Sequence, residues 1–506
     1  MRKNKTISDI IQAHDQISPA IFSPGRPPIS YGQLNSLVQN TISKLNAFGI
    51  NRNDRVAIII PNGPEMATAF ISVSSGATAA PLNPNYRTEE YEFYLSDLNA
   101  NALIVQSGEN GPAVMAAKNL GIQVINLIPE NNSPAGTYNL HGNTCGYIKK
   151  KQKLSENDIA LILHTSGTTS KPKIVPLSHK NIITSAHNIS SSLRLNPNDK
   201  CLNIMPLFHI HGLIGAILSS LYAGASISCT PGFNALSFFS WLDSEKPTWY
   251  TAVPTMHQAI LSRAERNKET VSKNILRFVR SSSASLPPAV MNNLEKTFNT
   301  SVIESYGMTE ASHQMTSNPL PPGKRIPGSV GLASGPEVEI MNESGEILSP
   351  NKIGEVVIKG NNVTSGYENN INANISSFIK RWFRTGDQGY IDNDGYLYLT
   401  GRLKEIINRG GEKISPYEID NVLQQHPSIH QAVTFSVPHK NLGEDVAAVV
   451  VLNPHKQISE TELKHFLSKK LSDFKIPNKI LFVEEIPKGA TGKLQRMGLA
   501  KKLELI

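Results

Sequence analysis

The chain has 506 residues, 39% of them apolar, which is more than one hydrophobic core usually spans, so two or more domains are expected. Its formal net charge of +8, from 49 Lys and Arg against 41 Asp and Glu, is modest for this length, and no basic motif interleaved with aromatics argues for a nucleic-acid partner. Cys145, Cys201 and Cys229 are odd in number, widely spaced and free of C-x-x-C, which suits unpaired thiols in a reducing compartment.

The first residues, M-R-K-N-K-T-I-S-D-I-I-Q, are basic but soon interrupted by Asp9 and Gln12, so they lack the apolar core of a secretory signal. No 18-residue apolar stretch is present, the closing L-E-L-I is not a receptor-read address, and a cytoplasmic location is the expectation. Apolar runs then alternate with amphipathic stretches. Strands are expected at Val56 to Ile60, Ala102 to Val105, Val124 to Ile128, Ile159 to Leu163, Ser226 to Cys229, Trp249 to Val253, Phe278 to Val279 and Val302 to Ile303. Helices are expected at Pro64 to Val73, Lys180 to Leu193 and Pro287 to Phe298, and the polar segment Pro129 to Asn157 reads as a surface connection. Strands separated by helices imply an α/β fold with parallel or mixed sheets covered by helices. From Val338 the pattern shortens to E-V-E-I-M-N-E-S-G-E and G-E-V-V-I-K-G, a small antiparallel part. After Gly401 a helix at Pro416 to Gln425, strands near Ala432 to Val437 and Val446 to Leu452, a helix at Glu460 to Leu471 and a strand at Ile480 to Val483 make a small α+β module. The expected division is a large domain over 1–400, a hinge at 401–404 and a small mobile domain over 405–506.

Five stretches carry candidate chemistry. Thr165 to Val175, T-S-G-T-T-S-K-P-K-I-V, follows an apolar run and precedes a helical pattern near Ser178, a context that presents backbone N–H groups to a phosphate. It is not a Walker A loop, because no second glycine precedes the lysine. E-S-Y-G-M-T-E, Glu304 to Glu310, is read as following a strand and sets together groups able to stack a base, touch a phosphate and hold Mg²⁺. R-T-G-D-Q-G-Y, Arg384 to Tyr390, offers Asp387 to the two hydroxyls of a ribose. G-R-L-K-E-I-I-N-R-G-G-E-K-I-S-P, Gly401 to Pro416, has cations on both sides of a glycine pair, and P-K-G-A-T-G-K-L-Q-R, Pro487 to Arg496, puts Lys493 after a glycine turn.

In order and spacing these stretches resemble the adenylate-forming superfamily of acyl-CoA synthetases, peptide-synthetase adenylation domains and luciferases, over nearly the whole chain. The resemblance implies two half-reactions: carboxylate and MgATP give acyl-AMP and pyrophosphate, and a thiol, here that of coenzyme A, then displaces AMP. Position by position, Thr165, Ser166, Gly167, Thr168, Thr169 and Lys173 resemble the phosphate loop, and Tyr306 the residue flanking adenine. Ser283 and Ala284 join the nucleotide-binding positions. Thr309 resembles the phosphate-side hydroxyl, Glu310 the magnesium carboxylate, Asp387 and Arg402 the ribose pair, Lys404 the hinge and Lys493 the lysine of adenylation. Gly410 and Gly411 would let backbone approach the pantetheine arm. Ser170 and Ile174 stand where relatives usually have glycine, and Asn408 where some have lysine, which bears on coenzyme A contacts.

M-P-L-F-H-I-H-G-L (Met205 to Leu213), R-S-S-S-A-S-L (Arg280 to Leu286) and the stretch Met308 to Pro321 resemble the oxalate-activating branch, and would line the acyl pocket with His209, Ser283 and His313. A second carboxylate wants donors, whereas an alkyl tail wants apolar walls. His209 with His211 could be half of a zinc site, but no third ligand sits at helpful spacing. The expectation is an ATP-dependent acid:CoA ligase with oxalate as leading substrate, His313 and Ser283 holding the carboxylate that does not react and His209 near the reacting end. If His313 is cationic when it binds, oxalate affinity should weaken as pH rises above the imidazole range. A medium-chain fatty or aryl acyl-CoA synthetase is the alternative within the superfamily. A separate carrier protein in place of coenzyme A is disfavoured, because the chain contains no carrier module. Outside it, a nucleotide-binding regulator is disfavoured because Lys493, Asp387 and Glu310 are all retained.

Overall fold

The computed structural model describes residues 4–145, 153–165, 172–488 and 493–505. The near-continuous apolar runs read from the sequence become parallel strands buried on both faces, as such runs should. In a first sheet of seven strands, Arg55–Ile59, Thr78–Pro81, Ala102–Gln106 and Gln123–Pro129 pair in parallel. Its far edge is β1 (Ile159–Thr165) and β2 (Lys173–Ser178), followed by helix α1 (His179–Ser192). A second sheet of nine strands holds β3 (Phe278–Ser282) and β4 (Ser301–Met308) in parallel, with β5 (His313–Ser317) antiparallel to β4.

Helix Pro64–Ser74 buries every residue but Glu65 because it touches both sheets: Arg55–Ile59 and Thr78–Pro81 on one side, Pro19–Ser23 and Ser226–Cys229 on the other. Helix α1 likewise touches β1, β2 and β5, so the two sheets share one interior across these helices.

Two readings need correction here. The stretch 129–157 is not simply a connection, since Tyr138–His141 pairs antiparallel with Gln123–Pro129 and buries alternate residues Tyr138 and Leu140. Its signal is period-2 burial over four residues, too short to stand out beside polar neighbours. Nor does the segment after β1 run straight into a helix. Ile174, Val175 and Leu177 form β2, which turns back antiparallel on β1 before Ser178 caps α1 by accepting from Asn181 N.

The small antiparallel part is a third sheet of five strands that includes Gly354–Lys359, β6 (Trp382–Ile391) and β7 (Leu397–Arg402). A fourth sheet begins at β8 (Ile407–Arg409) and β9 (Glu412–Ile414) and continues with Ile429–His439, Gly443–Leu452 and Lys479–Phe482. Helices Pro416–Leu423 and Glu460–Ser468 cover it, and Ile407, Ile419, Ala448, Val450, Leu463 and Leu467 make a core of its own. It meets the larger body at Gln258, whose Nε2 donates to His430 O at 3.2 Å and whose Oε1 accepts from Gln431 at 3.3 Å, and where Ser415 Oγ donates to Thr400 O.

The second and third sheets are tied where Val330 N donates to Leu397 O and Leu397 N to Gly331 O, both at 2.9 Å. Gly331 has φ +89°, and a Cβ there would lie 2.0 Å from Ser317 C and 2.1 Å from Asn318 N. Gly331→Ala should therefore destabilise by on the order of 3 kcal/mol, combining left-handed strain with a backbone overlap. A thermal unfolding midpoint unchanged from the parent would show that this crossing relaxes freely.

Candidate active site

The site is assembled where the ends of β4 and β7 meet the middle of β6. Glu304 to Met308 forms the end of β4 itself rather than a segment after it. A bulge between Tyr306 and Gly307 lets β5 approach so closely that a Cβ on Gly307 would lie 1.7 Å from His313 O. Tyr306 is thereby buried with its hydroxyl donating to Asp387 Oδ2. Asp387 and Arg402 are register partners across β6 and β7, and Arg402 Nε lies 2.9 Å from Asp387 Oδ1. The carboxylate beside it pushes the Arg402 guanidinium up, so the guanidinium stays charged.

Thr309 to Ala311 forms a 3₁₀ turn after β4 that leaves Glu310 buried. Glu310 Oε1 accepts from the Tyr367 hydroxyl at 2.8 Å, and Lys173 Nζ lies 4.3 Å over the Tyr367 ring. Burial raises the Glu310 carboxyl, and burial lowers the Lys173 ammonium, with Glu310 opposing and Lys404 adding to the fall. Lys404, exposed in the 3₁₀ turn Leu403–Glu405, thus faces the same end of the site as Lys173. Among the described residues no group of three or more His, Cys, Asp or Glu is placed to hold a metal ion. A lone buried carboxylate fits a magnesium ion that completes its oxygen shell with phosphate and water, and a divalent charge would offset the cost of burying it. Thr165 pairs with Lys173 across the β1–β2 hairpin. Ser166, Gly167, Thr168 and Thr169, with the variant Ser170, lie outside the described residues.

Lys493 comes from the fourth-sheet module yet sits among the groups of the larger body. Burial, with the nearby charge of Arg402, lowers it to about 8, against a raising effect of Asp387. Its charge in turn adds to the burial that lowers His209 to about 3. Gly410 and Gly411 (φ +60° and +100°) form the exposed two-residue turn between β8 and β9, and the structure does not bring them to this site.

Of the acyl-pocket candidates His313 is buried and His209 and Ser283 are half-buried, and they join a polar cluster around buried His211. Ser283, Ser312 and His313 all take left-handed backbone, with φ of +74°, +50° and +101°. Such geometry in non-glycine residues persists only where surroundings impose it. Here Ser185 Oγ donates to Ser312 O at 2.6 Å and Ser312 Oγ to Asn362 O at 2.9 Å. The His313 ring stacks on His211 with centroids 4.8 Å apart, and His211 lies 3.0 Å from Ser283 Oγ through Nδ1 and 2.6 Å from Thr251 Oγ1 through Nε2. His211 begins a π-helical segment, His211–Leu218, whose Gly215 leaves room for both rings: a Cβ there would lie 2.6 Å from His313 Nε2. Ala284 is exposed at the turn after β3.

The condition that His313 be cationic is not met. Burial, then the charges of Arg280, His209 and Lys493, hold its imidazole well below the usual range, so it is neutral at physiological pH. The charge belongs to Arg280, fully buried in β3, which donates to His313 Nε2 at 3.1 Å from both terminal nitrogens and to Gln314 Oε1 at 3.0 Å. Arg280 and His211 belong to this cluster, although the sequence reading weighs His211 only for zinc and quotes Arg280 only as the start of a stretch. One signal for them exists: an arginine inside the buried run F-V-R-S-S is costly unless something inside needs it.

The site therefore offers a carboxylate and two lysines at one end, an ion pair with an aromatic hydroxyl in the middle, and a neutral imidazole cluster backed by a guanidinium at the other. Comparison with known proteins accounts for this layout. The family described as AMP-binding enzyme matches residues 14–368, and that described as AMP-binding enzyme C-terminal domain matches residues 418–493. The chain is 43% identical over 488 residues to the oxalate–CoA ligase of Arabidopsis thaliana, covering 95% of each chain. It is 43% identical over 495 residues to the oxalate–CoA ligase of Saccharomyces cerevisiae, covering 93% of this chain and 90% of that one. The crystal structure of ATP-bound MatB from Rhodopseudomonas palustris superposes with a TM-score of 0.89 at 28% identity, covering 99% of both chains. The chain thus belongs to the AMP-binding enzyme family, the adenylate-forming superfamily, and is an AMP-forming acid–CoA ligase.

Proposed function

We propose that the acid activated is oxalate, giving oxalyl-AMP and then oxalyl-CoA. The observation that carries this reading is the cluster of buried Arg280, His211 and His313 with half-buried Ser283, where a hydrocarbon tail would find polar atoms and a second carboxylate would find donors. The two similar oxalate–CoA ligases support it.

In the first half-reaction one oxalate oxygen attacks the α-phosphorus of ATP, the bond to the β-phosphate oxygen breaks, and pyrophosphate leaves. Lys493 would meet the charge that grows at the α-phosphate, Asp387 would take the ribose hydroxyls beside Tyr306, and Lys173 with Thr165 and Thr309 would meet the outer phosphates. A Mg²⁺ ion on Glu310 would neutralise phosphate charge. In the second half-reaction the coenzyme A sulfur attacks the acyl carbon, the carbon–oxygen bond to AMP breaks, and the thiol proton is released. A mixed anhydride is lost to water in an open site, so residues 405–506 are proposed to turn about 401–404 between the two steps. Gly410 and Gly411 on their exposed turn would then be free to meet the pantetheine arm. Unpaired Cys145, Cys201 and Cys229 support a reducing, cytoplasmic setting, and no helix among the described residues is long and apolar enough to cross a membrane.

Lys493→Ala should lower acyl-AMP formation about 100-fold or more, on the order of 3 kcal/mol, and leave transfer from preformed oxalyl-AMP to coenzyme A nearly intact. Because Lys493 is charged below about 8 and neutral above it, kcat/KM for pyrophosphate exchange should hold on the acid side and fall roughly tenfold per unit above that point. Lys493→Arg should carry this limb to higher pH. Equal loss of both half-reactions would make Lys493 structural.

Lys404→Pro fixes φ in the Leu403–Glu405 turn and should keep adenylation while losing thioester formation. Unimpaired overall turnover would place the hinge elsewhere.

His313→Ala should raise KM for oxalate about ten- to a hundredfold and spare MgATP, at a factor of ten per about 1.4 kcal/mol. Since His313 is held neutral well below 6.5, KM for oxalate should not climb as pH rises through the imidazole range. AMP release assayed over oxalate, hexanoate and coumarate decides the substrate, and turnover of either of the latter without oxalate would sink the assignment.

A further inference from the structure

Arg280 is buried in β3 and every acceptor it reaches is neutral: His313 Nε2, Gln314 Oε1 and, at 3.4 Å, His211 Nε2. Its Nε–H is buried with no partner among the described residues. A guanidinium offers donors only, so the two N–H groups converging at 3.1 Å on His313 Nε2 require a lone pair there, and the ring proton must sit on Nδ1. Resting on the oxalate reading, we propose that Arg280 is the positioning residue of the acyl pocket: it fixes His313 as the Nδ1–H tautomer and, through that ring, supplies the positive charge that selects an acid with a second, unreacting carboxylate.

The rest of the cluster leaves the ring little freedom. Gly215 admits it on one side, His211 stacks at 4.8 Å on another, and left-handed backbone at Ser312 and His313 aims it. Burial draws Arg280 down to about 9, which leaves it charged at neutral pH. Oxalate brings two negative charges into the site. One is consumed as the reacting oxygen bonds to phosphorus, and the other needs a donor backed by charge. An imidazole that accepts from a cation at Nε2 donates more strongly at Nδ1, because the proton it gives is polarised from behind. Direct protonation of His313 would put two cations in contact. The relay gives the same sign of charge without that repulsion.

The test compares oxalate with oxamate, which keeps size and shape but replaces the unreacting carboxylate by an uncharged amide, in pyrophosphate exchange by the full-length enzyme. Arg280→Gln should lower kcat/KM for oxalate roughly a hundredfold, mostly through KM, and that for oxamate about threefold or less, so that the preference collapses. Arg280→Lys should restore part of it, as a charge without the fork. Equal losses for the two acids, with KM for MgATP unchanged, would reduce Arg280 to a packing role and overturn the proposal. Should Arg280→Gln fail to fold, ¹⁵N NMR of the histidine-labelled parent, with the His313 signal assigned by its loss in His313→Gln, decides. Nδ1–H is expected, and an Nε2–H tautomer or an imidazolium would overturn the proposal. A parent enzyme that ignores oxalate altogether would instead refute the substrate reading, and the tautomer would still report on Arg280 and His313.

Discussion

Asp387 is where the separate parts of this molecule meet. It accepts from Tyr306 at the end of the second sheet, pairs across the third sheet with Arg402, and affects Lys493 of the C-terminal module. Arg402 keeps 42% of its side chain exposed, so the ion pair contributes about 1 kcal/mol or less to stability. Its consequence is geometric. The guanidinium holds one carboxylate oxygen and the tyrosine the other, which orients the group in the middle of β6, across from the end of β7 and the three-residue turn on which the C-terminal module is carried.

Around that point the protein distributes buried charge unevenly. Glu310 and Lys173 occupy one end, where burial disfavours both charges and each partly supports the other. Arg280 occupies the other with no carboxylate among its acceptors. A desolvated cation that reaches only neutral partners is expensive, and apolar residues of the same volume would pack this strand at less cost. The neutral histidines around it follow from the same desolvation, since a second cation beside Arg280 would be more costly still. Polar groups at both ends and strained backbone at Ser283, Ser312 and His313 are what a site loses in stability to be ordered before its substrate arrives.

The position of Lys493 bears on the proposed division of the reaction into two steps. Lys493 feels the charges of Asp387 and Arg402 and acts on His209, while the glycine pair of the β8–β9 turn stands exposed. The proposed turn about 401–404 is what would let one module use both sets of groups. The contacts at Gln258 with His430 O and Gln431, and at Ser415 with Thr400 O, are polar hydrogen bonds of the kind that interfaces between movable domains use.

Local physics determined much of this protein in the sequence alone. Apolar runs such as Ser226–Cys229 and Trp249–Ala252 are strands because only a doubly covered sheet accommodates them, and Pro64, Pro254 and Pro288 start helices because their fixed φ suits a first turn. The order of the glycine, hydroxyl and charged stretches was enough to indicate adenylation chemistry. What the tertiary structure alone decided concerns partners distant in the chain. The antiparallel edge strand Tyr138–His141 depends on a neighbour to accept its hydrogen bonds, and β2 folds back on β1 because Ile174, Val175 and Leu177 need a core that only the assembled sheet offers. The charge of the acyl pocket lies on Arg280 and not on His313, since a residue's protonation state follows from desolvation and from cations that the fold brings near, here Arg280 from β3 and Lys493 from the last segment of the chain. Spacing along a sequence carries no record of that proximity, because it arises from packing between sheets.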